Sequence, residues 1–410
     1  MIPLHVHSNN TLLNGTISVE KLVQRAFDYG LASMALTDNN SMHGVIQFSK
    51  VAIDKKIRPI IGCQIDSPEN SSKYVILLAR NNKGYSELCK IITSRKLNDD
   101  FSLNNLLENK LENLFILTPS FELIKELQPR DNLFIELIAS TNEKRNNRNR
   151  YQLAMEKGFK FVVTNPIYFL DKKDYLLHKT LMAIRLKTTI DNLRAEDLAD
   201  EEFYFKDASK IEHEWKNLPQ ALTNSDLIAK ECKVDLKFGE SKFPVFSNPT
   251  NIPADTLLWN QAHKGLAKRF NPIANEAKKR LDMELSVISE MGYSNYFLIV
   301  WDIVSEAKRR GMMTIGRGSA ANSLVAYCLE ITQIDPLTHN LYFERFLNKA
   351  RSSPPDFDID FSWKERDEII KYIFEKYGYE RVAMISTTVT FRARSAFREV
   401  AKAFGFTNEE

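Results

Sequence analysis

Pro355-Asp356-Phe357-Asp358-Ile359-Asp360-Phe361 alternates carboxylates with large apolar side chains. Alternation of period two reads as a β-strand, with Asp356, Asp358 and Asp360 on one face and Phe357, Ile359 and Phe361 entering a core. Residues two apart on a strand lie about 6.5–7 Å from each other. Two unit charges at that separation repel by about 2.4 kcal/mol at an effective dielectric of about 20, and by about 0.6 kcal/mol in bulk water. A divalent cation would offset that repulsion, and so would the screening at a solvated acidic edge. Spacing alone leaves both readings open.

Upstream, Gly316-Arg317-Gly318-Ser319-Ala320-Ala321-Asn322-Ser323 sets two glycines and small residues before a helix-compatible run. Backbone N–H groups at such a turn can cradle a phosphate, with Arg317 and Ser319 as further donors. No Gly-Lys-Ser/Thr follows, so this is not a Walker A loop, and tight packing explains such a loop equally well. Together, however, a phosphate cradle and metal-holding carboxylates make the minimal kit for nucleotidyl transfer. Arg345, the run Lys308-Arg309-Arg310 and the group Arg392, Arg394 and Arg398 suit phosphate contacts, or simply solvated helix faces. Near the start, His5 and His7 share a face of a short strand and Asp38 follows another; two His and an Asp could begin a metal site or serve structure alone.

The elements that must position these residues fall into two patterns. Residues 1–235 alternate short apolar runs (32–37, 58–63, 74–79, 114–117, 133–137, 160–164) with amphipathic segments, such as 18–29 with Ser18 as N-cap and Gly30 as stop. Repeated βα units predict a largely parallel sheet, open or closed into a barrel. Residues 238–256 break the pattern with prolines and small polar residues and read as a connection. Beyond it, helices are predicted over 259–270, 274–291 and 296–309, then a strand over 312–315. Ser362-Trp363-Lys364-Glu365 fits a capping box opening a further helix. At 410 residues, with 43% hydrophobic and 27% charged residues, the chain is long enough for two or three domains with full cores. A net charge of +3 permits a nucleic-acid partner without demanding one. The four cysteines form no CxxC pair and read as reduced thiols of a cytoplasmic protein. Neither a signal peptide nor a membrane-spanning run is read, and the pattern breaks off at Glu410 as if in a fragment.

Six blocks in order resemble the C-family replicative DNA polymerases, the bacterial DNA polymerase III alpha subunits. They are Met291-Gly292-Tyr293 with Tyr296-Phe297-Leu298-Ile299-Val300; Gly316-Arg317-Gly318-Ser319; Ser323-Leu324-Val325-Ala326-Tyr327; Ile334-Asp335-Pro336-Leu337; Phe343-Glu344-Arg345-Phe346-Leu347-Asn348; and the acidic strand. Leu4-His5-Val6-His7-Ser8, Leu36-Thr37-Asp38, Arg58-Pro59-Ile60-Ile61-Gly62-Cys63 and Val163-Thr164-Asn165 are similar to the family's polymerase-and-histidinol-phosphatase (PHP) domain. The resemblance implies an α/β chain: a distorted (β/α)7 PHP barrel over 1–235, an α+β nucleotidyltransferase-like palm over 236–387 and the start of a helical thumb over 388–410. It implies a DNA-directed DNA polymerase adding dNMP to a primer 3′-OH by a two-metal-ion mechanism. Asp356 and Asp358 match its catalytic Mg²⁺ ligands, and Gly318 and Ser319 its nucleotide-phosphate contacts, with Arg317 and Arg345 as nearby triphosphate candidates. Asp360 is not the family's third catalytic carboxylate, which lies beyond Glu410, so the piece alone is expected to be inactive. Implied partners are primer-template DNA, dNTPs, a sliding clamp, a clamp loader and a separate proofreading exonuclease, with no membrane.

The PHP match departs from the metal-binding pattern. Asn39, Gln64, Tyr74, Pro166 and Tyr168 stand where that pattern has His, Glu, His, Asp and His. With His5, His7 and Asp38 left as a vestigial set, no phosphoesterase activity is expected there. The rival functions are a PHP-type metal phosphoesterase and a non-catalytic module binding DNA or a replication partner.

Overall fold

The computed structural model describes residues 1–240, 243–248, 251–350 and 354–407. Parts of the expected connection (241–242 and 249–250) and the last three residues of the expected thumb segment lie outside them. The chain divides into two units, 1–236 with 389–410, and 237–388.

Six strands build the first unit: β1 (Ser33–Leu36), β2 (Arg58–Asp66), β3 (Tyr74–Ala79), β4 (Leu114–Thr118), β5 (Leu133–Ile138) and β6 (Lys160–Thr164). They lie in chain order in one sheet. Their side chains are buried on both faces, which is why they read as unbroken apolar runs. One face joins the helices in a core that includes Leu22, Phe48, Leu88 and Ile124. The other packs Ala35, Ile60, Ile76, Leu117 and Val162 with Ile228 and Ala229 of the helix Pro219–Glu231.

Two expectations are corrected. The sheet is mixed, because β3 runs antiparallel to both β2 and β4. The polar turn at 67–73 joins β2 to β3 without a crossover, and antiparallel pairing is what such a connection allows. Residues 3–7 do not form a regular strand either. They are nonetheless hydrogen-bonded on both sides: Ala35 N and Thr37 N donate to Pro3 O and Val6 O (2.9 and 2.7 Å), while His7 N donates to Ile167 O and Ile167 N to His5 O (2.8 and 3.0 Å). This irregular segment links β1 to the chain just past β6, so the edges of the curled sheet meet through it.

The second unit begins with helices Ala254–Arg269, Asn275–Glu290 and Ser294–Arg309. Strand β7 (Thr314–Arg317), a 3-10 turn (Gly318–Asn322) and a short helix (Leu324–Cys328) follow. The helix-compatible run thus splits, because Ser323 turns back to cap Ala326 N (3.1 Å). Strand β8 (Asp358–Phe361) pairs antiparallel with β7 and is shorter than the alternation suggested, since residues 354–357 are irregular. The proposed capping box at Ser362 is absent. Glu365 N and Arg366 N donate to the Ser362 carbonyl instead, and the helix runs Arg366–Tyr377. The helix Ala393–Ala403 groups with the first unit, where it packs on Tyr175–Leu186.

Candidate metal and phosphate site

The β7–β8 pairing sets Arg317 opposite Asp358 and Ile315 opposite Asp360. The alternation of the acidic segment does the rest. Phe357 and Ile359 pack into the core of the second unit, with the Phe357 ring 5.0 Å from Phe297 and 5.2 Å from Phe346, and Phe361 packs beside Met312 and Ile369. Asp356, Asp358 and Asp360 are consequently left exposed. They do not share one fate. Arg317 Nε bonds Asp360 Oδ2 at 2.9 Å across the sheet diagonal, a surface pair worth about 0–1 kcal/mol. Among the described residues, Asp356 and Asp358 have no ion-pair partner.

Chain reversal at the end of β7 brings the glycine turn to Asp358. Gly318 has φ +69°, and a Cβ there would stand 2.9 Å from Asp358 Oδ2. Only a residue without a side chain leaves that carboxylate where it is. Gly316 is needed for a different close approach, since its Cβ would fall 2.3 Å from Ile331 O. Ser319 follows in the same turn, and the 3-10 turn Phe343–Arg345 packs against it, with Arg345 exposed at its end. Gly318, Ser319, Arg317, Arg345 and Asp358 are thus gathered on neighbouring elements. The run Lys308-Arg309-Arg310 is committed elsewhere: Lys308 to Glu330, Arg309 and Arg310 to Glu306.

Sequence reasoning missed Tyr296 as a site neighbour. Its ring lies 5.4 Å from that of Phe357, the residue between Asp356 and Asp358, and burial pushes its phenol up, the Phe357 backbone N–H opposing and the charges of Asp356 and Asp358 adding to the rise. Also missed was Glu284, whose side chain is fully buried beside Arg280. Its signal was an acidic residue on the apolar stripe Leu281, Leu285 and Ile288.

In the first unit, His5, His7 and Asp38 do come together; the donor atoms of His5 and Asp38 are taken, while the buried His7 Nε2 has no hydrogen-bond partner among the described residues. His5 Nδ1 pairs with Glu136 Oε1 at 2.7 Å and Nε2 meets Gln64 Oε1 at 3.0 Å. Asp38 accepts from Ser8 N, Ser8 Oγ and Thr11 Oγ1 at 2.6–2.8 Å. His7 stacks on Tyr168 with centroids 4.1 Å apart and turns Nδ1 to Thr11 Oγ1 at 3.3 Å. Burial, then the neighbouring His5, holds its pKa well below the usual range. Gln64, Tyr74 and Tyr168 surround this pair, so the substituted positions line the same interior. Glu136, which sequence reasoning passed over, is the buried carboxylate that the His5 ring contacts. Among the described residues no group of three or more His, Cys, Asp or Glu side chains is arranged to hold a metal ion. No helix among them is long and apolar enough to cross a membrane.

Comparison with known proteins matches two segments of the chain to two domain models. Residues 3–168 match the PHP domain model, and residues 256–410 match the model described as bacterial DNA polymerase III alpha NTPase domain. A DNA polymerase III subunit alpha of Bacillus subtilis is 36% identical over 100% of this chain and 39% of its own length. An error-prone DNA polymerase of Symbiobacterium thermophilum is 31% identical over 99% of this chain and 41% of its own. Among solved structures, a putative metal-dependent phosphoesterase from Bifidobacterium adolescentis covers 40% of this chain and 86% of its own. Its TM-score of 0.28 and 10% identity are too low to bear on the site. This chain therefore spans well under half the length of those polymerase relatives. With both domain models matched in order, the chain is similar along its whole length to DNA polymerase III alpha subunits.

Proposed function

We propose that the protein carrying this chain is a DNA-directed DNA polymerase of chromosomal replication, and that the β7–β8 sheet with its glycine turn is the core of its nucleotidyl-transfer site. The observation that supports this most is the contact of Gly318 with Asp358: the candidate phosphate turn and the candidate metal carboxylate lie against each other. Asp356 and Asp358, exposed and without ion-pair partners among the described residues, suit divalent-ion ligation, and Mg²⁺ is the proposed ion. Bound ions of this kind acidify a primer 3′-hydroxyl and neutralise a triphosphate and its leaving pyrophosphate. Ser319 and the N–H groups of its turn would donate to phosphate oxygens, and Arg345 would add positive charge from the neighbouring turn. Arg317 could do the same on exchanging Asp360 for a phosphate. The 3′-oxygen would then bond to the α-phosphorus of the dNTP as the bond to pyrophosphate breaks.

Residues 236–387 would serve as most of the palm, and 388–410 as the beginning of the thumb. Residues 1–235 would be a non-catalytic PHP domain, because protein hydrogen bonds occupy His5 and Asp38. It would offer a docking surface to a separate proofreading exonuclease, while the whole protein works in the cytoplasm with primer-template DNA, a sliding clamp and a clamp loader. Single-nucleotide incorporation by the full-length protein tests the reading. Asp358→Ala is expected to abolish it, and primer extension retained by that variant would sink the assignment.

A further inference from the structure

Two turns carry the proposed triphosphate contacts, and one side chain ties them together. Arg280, on the helix Asn275–Glu290, sends Nη2 to two backbone carbonyls: Asn322 O at 3.4 Å, closing the Gly318–Asn322 turn, and Leu341 O at 3.1 Å, just before the Phe343–Arg345 turn. Its Nε bonds Glu284 Oε1 at 2.7 Å. Glu284, fully buried, spends its other oxygen on Ser323 Oγ at 2.9 Å and Val325 N at 3.1 Å. Within the first turn, Asn322 Nδ2 holds Ser319 O at 2.8 Å. A continuous set of hydrogen bonds therefore runs from one helix to the backbone of Ser319 on one side and to the approach to Arg345 on the other. Asn322 and Ser323 are buried, so little solvent competes for these bonds.

We infer that Arg280 is a positioning residue for nucleotide binding: held in place by Glu284, its guanidinium fixes the spacing between the Gly318–Ser319 turn and the Arg345 turn. The geometry requires a planar fork. Nε faces the carboxylate while Nη2 reaches both carbonyls, and a lysine ammonium on a flexible stem cannot reproduce that. The inference rests on the polymerase reading above and deepens it.

The test uses the full-length protein with primer-template DNA and a single dNTP. Arg280→Lys keeps a positive charge beside Glu284 and is expected to fold, with melting and primer-template Kd unchanged, while the dNTP KM rises about tenfold and kcat changes less than about threefold. Asn322→Ala, which removes the bond to Ser319 O, is expected to raise KM in the same way. Wild-type KM in both variants would overturn the inference. So would a parallel loss of KM, kcat, DNA affinity and melting temperature, which marks a general packing defect. Asp358→Ala, run alongside, separates the two claims: if that variant extends primers, the polymerase site itself is wrongly placed. If it is inactive while Arg280→Lys and Asn322→Ala bind dNTP normally, only the positioning role fails.

Discussion

Replacing Gly318 by alanine should separate stability from activity. The residue sits at φ +69°, where an L side chain costs roughly 1–2 kcal/mol. Stiffening of the unfolded chain returns about 0.4–1 kcal/mol, leaving a net loss near 1 kcal/mol. The new Cβ would lie 2.9 Å from Asp358 Oδ2, too close for a carbon and an oxygen to coexist. That oxygen ends an exposed side chain, so the carboxylate can rotate away at little cost to the fold. What it cannot do is remain over the turn. Misplacing a reacting constellation by about 1 Å costs on the order of 100-fold in rate. The expected result is therefore a thermal midpoint lowered by only about 2–4 °C in this chain, with single-nucleotide incorporation by the full-length protein down about 100-fold. A variant that loses the same stability yet incorporates nucleotide at the wild-type rate would refute the argument that Asp358 must stand against the turn.

Three other outcomes follow from the structure. His7 and His178 are buried, and burial holds both below the usual histidine pKa of 6.5. Protons therefore bind the unfolded chain first: stability is full above about pH 6.5 and is lost as the pH falls below it, by up to about 1.4 kcal/mol per pH unit for each histidine. Thermal melts from pH 7.5 to 5 should show this fall, a smaller one in His178→Gln, and a flat profile would contradict it. Glu284→Ala would strip a buried carboxylate from Arg280, Ser323 and Val325, and urea unfolding should show a loss of about 3–5 kcal/mol; less than about 1 kcal/mol would mean the pair carries little. Chelation by EDTA should leave the melting of the first unit unchanged, because His5 and Asp38 are already bonded to protein groups; a clear drop would reveal a bound metal.

Much of the fold was legible because its strands are short apolar runs with polar ends: β3 and β6 occupy the residues the runs marked. Strand direction was not, since the antiparallel course of β3 depends on pairing across the sheet rather than on its own residues. Residues 3–7 were misread as a strand because the alternation of Leu4 and Val6 with histidines mimics one. The capping box failed at Ser362 because its carbonyl, not its hydroxyl, receives the helix N–H groups. At the site, alternation showed which side chains face solvent, and the glycines marked the turn. Nothing local could show that Arg317 would choose Asp360, or that Arg280 would reach Asn322 and Leu341 from another helix, because those contacts exist only once the fold has assembled.

On the proposed reading the acidic segment divides sharply: Asp358 would act on the reacting phosphate through bound ions, while Asp360 pairs with Arg317. Pre-steady-state incorporation of one dNTP by the full-length protein, compared between Asp358→Asn and Asp360→Asn, measures that division directly. The predicted result is a loss of at least about 1000-fold for Asp358→Asn, on the scale of about 4 kcal/mol, and less than about tenfold for Asp360→Asn. Equal losses, or an active Asp358→Asn, would contradict it.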